Sequence, residues 1–165
     1  MNAGFIPSDH WVHGPEGGGR NLGEACHIYD LFTALANAEV TGISAQAIKP
    51  TSAHYGRCDN FVATLSFSDG SVANLVYTAL GNKAIPKEIA ELYVDGKIAT
   101  LDDYRNLTVH GDEKQSLQTR LQDKGLMMEL ERFEHGIQTG EWPIPWWQQA
   151  QVSEIAFAVE EMIFQ

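Results

Sequence analysis

The sequence has few cysteines, little positive charge and no long apolar run. Cys26 and Cys58 are the only cysteines among 165 residues. They are too few for a disulfide framework, and their spacing matches no zinc motif. Lys and Arg total 11 against 22 Asp and Glu, so the net charge is −11. Because such a surface repels phosphate backbones and anionic lipid, we expect neither nucleic acid nor a membrane as a partner.

Other missing features bear on location and domain count. The start MNAGFIPSDHW has neither the basic residues nor the apolar core of a secretory signal peptide, so we expect a cytoplasmic protein. No apolar stretch approaches the roughly 20 residues that span a bilayer. The apolar content of 44% and charged content of 20% are typical of a folded globular chain. The length predicts a single domain over residues 1–165.

Hydrophobic periodicity predicts a helix near the start of the chain and two near its end. The first helix, ending near residues 36–38, has an apolar face made of Ile28, Leu31, Phe32 and Leu35. The second has an apolar face made of Leu126, Leu130, Phe133 and Ile137. The third carries Val152, Ile155, Ala156, Val159 and Ile163.

Strands are predicted between these helices. Residues 40–48 and 105–111 each suggest one strand, and a short strand followed by a loop is expected at the N-terminus. Asp69-Gly70 and Asp95-Gly96 each separate two alternating runs, which predicts two hairpins. Polar residues 112–125 are interpreted as a linker.

This order of elements predicts an α+β fold. We expect an open, mostly antiparallel β-sheet of about six strands with helices packed on one face. The other face of the sheet then needs a cover, for which a second copy of the chain is the simplest candidate.

The stretch GGGRNLGEACHIYDLF, residues 17–32, holds the main candidates for chemistry. On the predicted helix His27 flanks the apolar stripe, where a neutral imidazole can act as a general acid or base near pH 7. Glu24 falls on the apolar side instead. Either the helix begins at or after Glu24, or its carboxylate is partly buried with a partner. Arg20 could bind a carboxylate or phosphate through two hydrogen bonds.

Two patterns fall short of a cofactor site. Glu24-x-x-His27 has the spacing of a di-iron ligand pair, but the second such pair is absent, and His10-x-x-His13 lies in an irregular loop. We therefore expect no metal. Gly17, Gly18 and Gly19 do not follow a strand in a βαβ unit, so the dinucleotide-binding fingerprint is absent as well.

These residues resemble a known family. GGGRNLGEACHIYDL is similar to the motif Gly-Gly-Gly, a few residues, Asp-x-Gly-x-His-x-x-Asp of the glucose–fructose oxidoreductase / inositol dehydrogenase (Gfo/Idh/MocA) family, at the start of its C-terminal domain. ELYVDGKIATLDDYRNLTVHG resembles the hairpin and strand of that family, and DKGLMMELERFEHGIQTGEWPIP resembles its next helix. The likeness is greatest to a subgroup that carries NAGFIPxDHW ahead of GGGRxxGExCHFxDL in longer oxidoreductases.

The resemblance implies a domain of an NAD- or NADP-dependent oxidoreductase acting on a sugar, nucleotide sugar or cyclic polyol. The N-terminal Rossmann domain that binds the dinucleotide in this family is absent from the chain. The C-terminal domain would shape the substrate pocket and form a homo-dimer or tetramer through the open sheet face. His27, with Glu24, would move the alcohol proton. We expect the substrate-binding residues to be Arg20, His10 and Trp11.

One departure from the family motif leaves alternatives open. The family's aspartate, four residues before the histidine, is Gly23 here, and Glu24 follows it. The main alternative is a stand-alone carbohydrate-binding or scaffold module without catalysis. A third hypothesis is a lyase or isomerase that uses Glu24 and His27 without a cofactor.

Overall fold

The computed structural model describes residues 1–111, 113 and 115–165. Seven strands are present in these residues: β1 (Val40–Ala47), β2 (Asn60–Phe67), β3 (Val72–Thr78), β4 (Ile89–Val94), β5 (Lys97–Asp102), β6 (Asn106–His110) and β7 (Gln115–Gln118). The α-helices are α1 (Cys26–Ala36), α2 (Leu126–Thr139) and α3 (Trp146–Phe164). In this part of the chain no helix combines the length and apolarity that a membrane span requires.

The strands form two open sheets, ordered β1-β2-β3 and β4-β5-β6-β7, and every pairing is antiparallel. The predicted α+β class with open antiparallel sheet structure is confirmed, with the strands divided between two sheets. Both hairpins form where Asp-Gly predicted them. Asp95 and Gly96 have φ values of 46° and 78°, the left-handed conformation that favours this dipeptide in tight hairpin turns.

Two predictions at the strand level are wrong. The segment interpreted as a linker contains β7, which pairs with β6 through its backbone. Its sequence QSLQ is too short and polar to show an alternating pattern, and Asp112 and Lys114 of the same segment lie outside the described residues. The expected N-terminal strand is reduced to one bridge residue, Asn2, since Gly4 soon takes a φ of 72°.

The chain divides into two compact units. One comprises Met1–Asn2 and Asn82–Pro143, and therefore holds β4 to β7 and α2. The other comprises Ala3–Gly81 and Ile144–Gln165, and holds β1 to β3, α1 and α3. All of the residues predicted to carry chemistry belong to this second unit.

The core of the second unit lies where α3 packs against α1 and β1. Four of the five predicted inward residues of α3 are buried, and Val152 is half-buried. The predicted inward residues of β2 are all buried: Phe61, Ala63, Leu65 and Phe67.

The prediction of which α1 residues face the core is wrong, because none of the four predicted apolar residues is fully buried. Tyr29 and Thr33 are fully buried, whereas Leu35 is 55% exposed. The reason is polar: the Tyr29 hydroxyl donates to Asn21 Oδ1 at 2.8 Å, and Thr33 Oγ1 accepts from Gln151 Nε2 of α3 at 3.3 Å. An apolar periodicity cannot register these hydrogen bonds.

In the first unit, apolar side chains remain at the surface. The register aligns an apolar row across one face of the sheet, in which Leu92 pairs with Ala99, Ala99 with Val109, and Leu107 with Leu117. Leu92, Leu107 and Leu117 of this row are exposed. The predicted apolar face of α2 is exposed too: Leu126, Leu130, Phe133 and Ile137.

Candidate active site

A glycine-rich loop leads directly into the candidate site. It runs into a π-helical segment, Asn21–Ala25, which continues as α1. Gly18 and Gly19 have φ values of 66° and 78°, which other residues rarely adopt. A Cβ at Gly17 would lie 2.4 Å from the Cα of Val12. This glycine is therefore required because the preceding loop passes against its backbone.

The carboxylate of Glu24 is held by two donors from separate elements. Arg20 Nη2 lies 3.1 Å from Glu24 Oε2, and the Tyr77 hydroxyl of β3 donates to the same oxygen. Arg20 Nε in turn donates to the Tyr77 hydroxyl at 2.7 Å. The Glu24 side chain is 24% exposed, against 1% for Arg20. Both predictions for Glu24 hold together: α1 begins after it, and its carboxylate is partly buried with partners.

The guanidinium of Arg20 is occupied by the protein itself. Nη1 donates to the carbonyl of Gly4 at 2.7 Å, and Nη2 also donates to the carbonyl of Ala3 at 3.1 Å. Burial opposes the charge, but Tyr77 and Glu24 raise the pKa of Arg20. Through these bonds Arg20 connects the backbone of Ala3 and Gly4 to the carboxylate of Glu24. Its predicted contact with substrate stays a prediction.

Tyr77 completes the network and was not among the predicted site residues. Burial, together with the hydrogen bond to Glu24, raises the pKa of Tyr77, so its hydroxyl stays protonated and remains a donor. In the sequence Tyr77 is one inward residue of an alternating strand and is read as core. The sequence gives no sign of its contacts with Arg20 and Glu24, because these depend on how β3 packs against the helical segment.

His27 lies on the first turn of α1, three residues after Glu24, and its side chain is exposed. His27 is thus exposed to solvent and lies close in sequence to Glu24, whose carboxylate is held by Arg20 and Tyr77.

His10 and Trp11 belong to an exposed turn before the glycines. His10 Nδ1 accepts from the backbone N–H of Val12 at 3.3 Å, and the Trp11 side chain is 64% exposed. Their substrate contacts stay predictions.

A second polar cluster fixes the π-helical segment to α3. Asn21 Nδ2 donates to Glu160 Oε2 at 2.7 Å and to the carbonyl of Ala156 at 2.9 Å. Burial raises the pKa of Glu160, although the bond from Asn21 acts in the opposite direction. Asn21 is fully buried, so these bonds fix the angle at which α1 starts.

A steric contact explains why glycine stands at position 23, where the family motif has aspartate. A Cβ at Gly23 would lie 2.8 Å from the backbone oxygen of Gly17. An aspartate side chain would therefore require the backbone here to move.

A comparison with protein-family models identifies the chain. The model of the "Oxidoreductase family, C-terminal alpha/beta domain" (GFO_IDH_MocA_C) matches residues 7–151. The chain belongs to this family. The Gfo/Idh/MocA resemblance drawn from the motifs is thereby confirmed. A comparison with curated proteins finds no match.

Solved structures of Gfo/Idh/MocA-type proteins share the fold. UDP-N-acetylglucosamine 3-dehydrogenase from Acidithiobacillus ferrooxidans is 18% identical, with a TM-score of 0.76 over 97% of this chain and 50% of the other. Aldose-aldose oxidoreductase from Caulobacter crescentus, complexed with glycerol, is 17% identical, with a TM-score of 0.77 over 98% and 50%. Levoglucosan dehydrogenase in complex with NADH is 16% identical, with a TM-score of 0.76 over 96% and 53%. The chain spans about half the length of each.

Proposed function

We propose that this domain forms the substrate side of the active site in an NAD(P)-dependent oxidoreductase. Its substrate would be a sugar, a nucleotide sugar or a cyclic polyol. The observation that carries the proposal is that Arg20 and Tyr77 hold the carboxylate of Glu24 in place, three residues before the exposed His27.

His27 is the residue we assign to proton transfer. An exposed imidazole on the first turn of a helix can be reached by a hydroxyl group of a substrate. In the oxidation direction it accepts the alcohol proton, and in the reduction direction it returns that proton to the carbonyl oxygen.

Glu24 is the residue we assign to organising the substrate and His27. Its Oε2 accepts two hydrogen bonds, one of them charge-assisted, so the carboxylate is stabilised in its ionised form. A fixed negative charge near His27 would stabilise the imidazolium that forms when the alcohol proton arrives. Arg20 and Tyr77 act through Glu24 as positioning residues.

The described residues do not fit the pyrophosphate of a dinucleotide. The glycine run does not follow a strand, and the space beside Gly17 is filled by the backbone of Val12. In the proposal, NAD or NADP is therefore held by protein outside this chain and supplies the hydride chemistry. The NADH complex of levoglucosan dehydrogenase supports a nicotinamide cofactor.

The substrate class is drawn from the neighbours' chemistry. Two of the three dehydrogenases and oxidoreductases named above act on free or anhydro sugars by name, and one acts on a nucleotide sugar. All of these are polyhydroxylated rings in which one secondary alcohol can exchange a hydride. Among them, this chain gives no preference.

The test is a substitution in the complete enzyme that carries this domain. His27→Ala should lower kcat by roughly 10²–10⁴, the usual loss for an acid/base residue. The matched control is His110→Ala, an exposed histidine on β6 in the other unit. An unchanged kcat in His27→Ala, or an equal loss in His110→Ala, would remove His27 from the mechanism.

A second candidate function is a carbohydrate-binding module without catalysis. Gly23 favours it, because the family's aspartate is absent and has no room at that position. The two candidates differ in one measurement on the 165-residue chain and its source polypeptide. Sugar binding by the chain, with a native mass of 18.2 kDa and no cofactor requirement, would support the module. A heavier native polypeptide with dehydrogenase activity would support the enzyme.

We also propose that the apolar row on the β4-β5-β6-β7 sheet forms an interface between copies of the chain, giving a homo-dimer or tetramer. Exposed leucines in adjacent register on three strands make a continuous apolar surface. Surfaces of this kind favour association in water.

A further inference from the structure

Three metal-ligand side chains from two separated segments meet near the start of β2. His13 comes from the turn before the glycines, and Cys58 and Asp59 come from the short turn Arg57–Asp59. One ligand atom of each lies within 4.8 Å of the others. His13 Nδ1 is 4.0 Å from Asp59 Oδ1. Ligand atoms around one tetrahedral zinc ion lie roughly 3.3–3.8 Å apart, so these side chains would have to approach one another by about 1 Å to share an ion.

One oxygen of the buried Asp59 carboxylate has no hydrogen-bond donor among the described residues. The Asp59 side chain is 2% exposed. Oδ2 accepts from the backbone N–H of Gly56 at 2.7 Å, while Oδ1 has no hydrogen-bond donor among the described residues. A buried carboxylate oxygen without a donor is costly, and such oxygens commonly mark an ion or a water.

His13 faces this oxygen with the ring nitrogen that a metal would use. Its Nε2 lies 3.4 Å from the carbonyl of Ile6, which can only accept a hydrogen bond. If Nε2 carries the proton, Nδ1 presents a lone pair towards Asp59 Oδ1. Metal-binding histidines usually donate their second N–H to a carbonyl or carboxylate in this way. A cation between His13 Nδ1 and Asp59 Oδ1 would satisfy both acceptors.

We propose that His13, Cys58 and Asp59 bind a zinc ion through one nitrogen, one sulfur and one oxygen, with a fourth position left open. A thiolate, a carboxylate and a neutral imidazole together carry a charge of −2, which Zn²⁺ neutralises. Each is a usual zinc ligand in proteins. The site differs from the expectation of no metal because its ligands come from two segments far apart in the sequence.

The remaining groups around the cluster are compatible with this ion. The backbone N–H of Arg20 points to Cys58 Sγ at 3.5 Å, and a Cβ at Gly19 would lie 3.1 Å from the same sulfur. Burial raises the pKa of the Cys58 thiol, so zinc has to displace its proton on binding. The bound ion would connect the loop that carries His13 to the start of β2. Arg20 lies beside this site, since its backbone N–H points to Cys58 Sγ.

The test uses the 165-residue chain freed of metal by a chelator and titrated with Co²⁺, a coloured substitute for Zn²⁺. We expect a thiolate-to-cobalt charge-transfer band and intense visible bands, both lost when one equivalent of Zn²⁺ is added. Cys58→Ser should abolish the charge-transfer band, and His13→Gln and Asp59→Asn should weaken cobalt binding by at least tenfold. Cys26→Ser and His10→Gln are the matched controls and should bind cobalt as the unmodified chain does.

Two results would overturn the proposal. One is the absence of a thiolate-to-cobalt band in a chain that circular dichroism shows to be folded. His13 and Asp59 would then form an ion pair without a metal. The other is a band that persists in Cys58→Ser. If Cys58→Ser does not fold, the rate of alkylation of Cys58 in the Cys26→Ser chain decides instead. Zinc should slow it about tenfold or more, and an unchanged rate would contradict a zinc–sulfur bond.

Discussion

The hydroxyl of Tyr77, on β3, donates a hydrogen bond to the carboxylate of Glu24, in the π-helical segment before α1. The same hydroxyl accepts from Arg20 Nε. Tyr77 is therefore the point at which the sheet fixes the start of the helix that carries His27. Its loss should disturb both stability and the candidate site.

Replacing Tyr77 with phenylalanine should destabilise the fold. The change removes one hydroxyl and leaves Arg20 Nε, a buried charged donor, without its partner, which typically costs about 1–3 kcal/mol. Urea unfolding should show a lower midpoint with an unchanged slope. Tyr93→Phe is the control. It removes a hydroxyl bonded to Glu91 at the surface, so its effect on the urea midpoint should be much smaller. Equal losses in both variants would contradict the role given to Tyr77.

Restoring the family's aspartate at Gly23 should harm folding rather than improve a site. Both Gly23→Ala and Gly23→Asp place a Cβ 2.8 Å from the Gly17 oxygen, and overpacking of this kind usually costs about 1–3 kcal/mol. Gly42→Ala is the control, since its Cβ would meet Ser66 at an ordinary 3.7 Å. Thermal unfolding separates them. A Gly23→Ala chain as stable as the unmodified one would mean that the loop yields easily.

Glu160→Gln should stabilise the protein at neutral pH. Burial raises the pKa of Glu160 above its ordinary 4.5. The folded state therefore binds this proton more readily than the unfolded state, and stability falls as pH rises through the folded pKa. Glutamine keeps the acceptor for Asn21 and carries no charge, so Tm at pH 7.5 should rise by a few degrees. At or below pH 4.5 the gain should vanish. Glu161→Gln, at an exposed neighbour, should show neither effect.

Leu92→Asp should disrupt association between copies of the chain. Leu92 lies in the apolar row of the second sheet and is 42% exposed. A charge there would have to be desolvated in an interface, which is costly without a partner. Light scattering coupled to size-exclusion chromatography should show a smaller species than the unmodified chain. Tyr93→Asp, on the opposite face of the same strand, should leave the mass unchanged. A monomeric unmodified chain would contradict the interface.

Local patterns were enough for most of the secondary structure. Asp-Gly between alternating runs predicted both hairpins, since the required left-handed backbone is a property of those two residues. The periodicity of α3 predicted its buried residues, because apolar contacts dominate that face. The family motif also indicated the fold class, which is confirmed, and it is the source of the prediction for His27; each of these signals lies within a short stretch of the chain.

Interactions between distant residues could not be read in the same way. Leu35 of α1 is exposed and Thr33 is buried, because the partner of Thr33 is Gln151, on α3. QSLQ became a strand because β6 offered its edge. The sequence by itself determined the helices, most of the strands, the hairpin turns and the stretch that holds the candidate site, all of which depend on neighbours along the chain. The tertiary structure alone decided that Tyr77 and Arg20 hold Glu24 and that His13 lies beside Cys58 and Asp59, because these contacts form only when folding brings separated segments together.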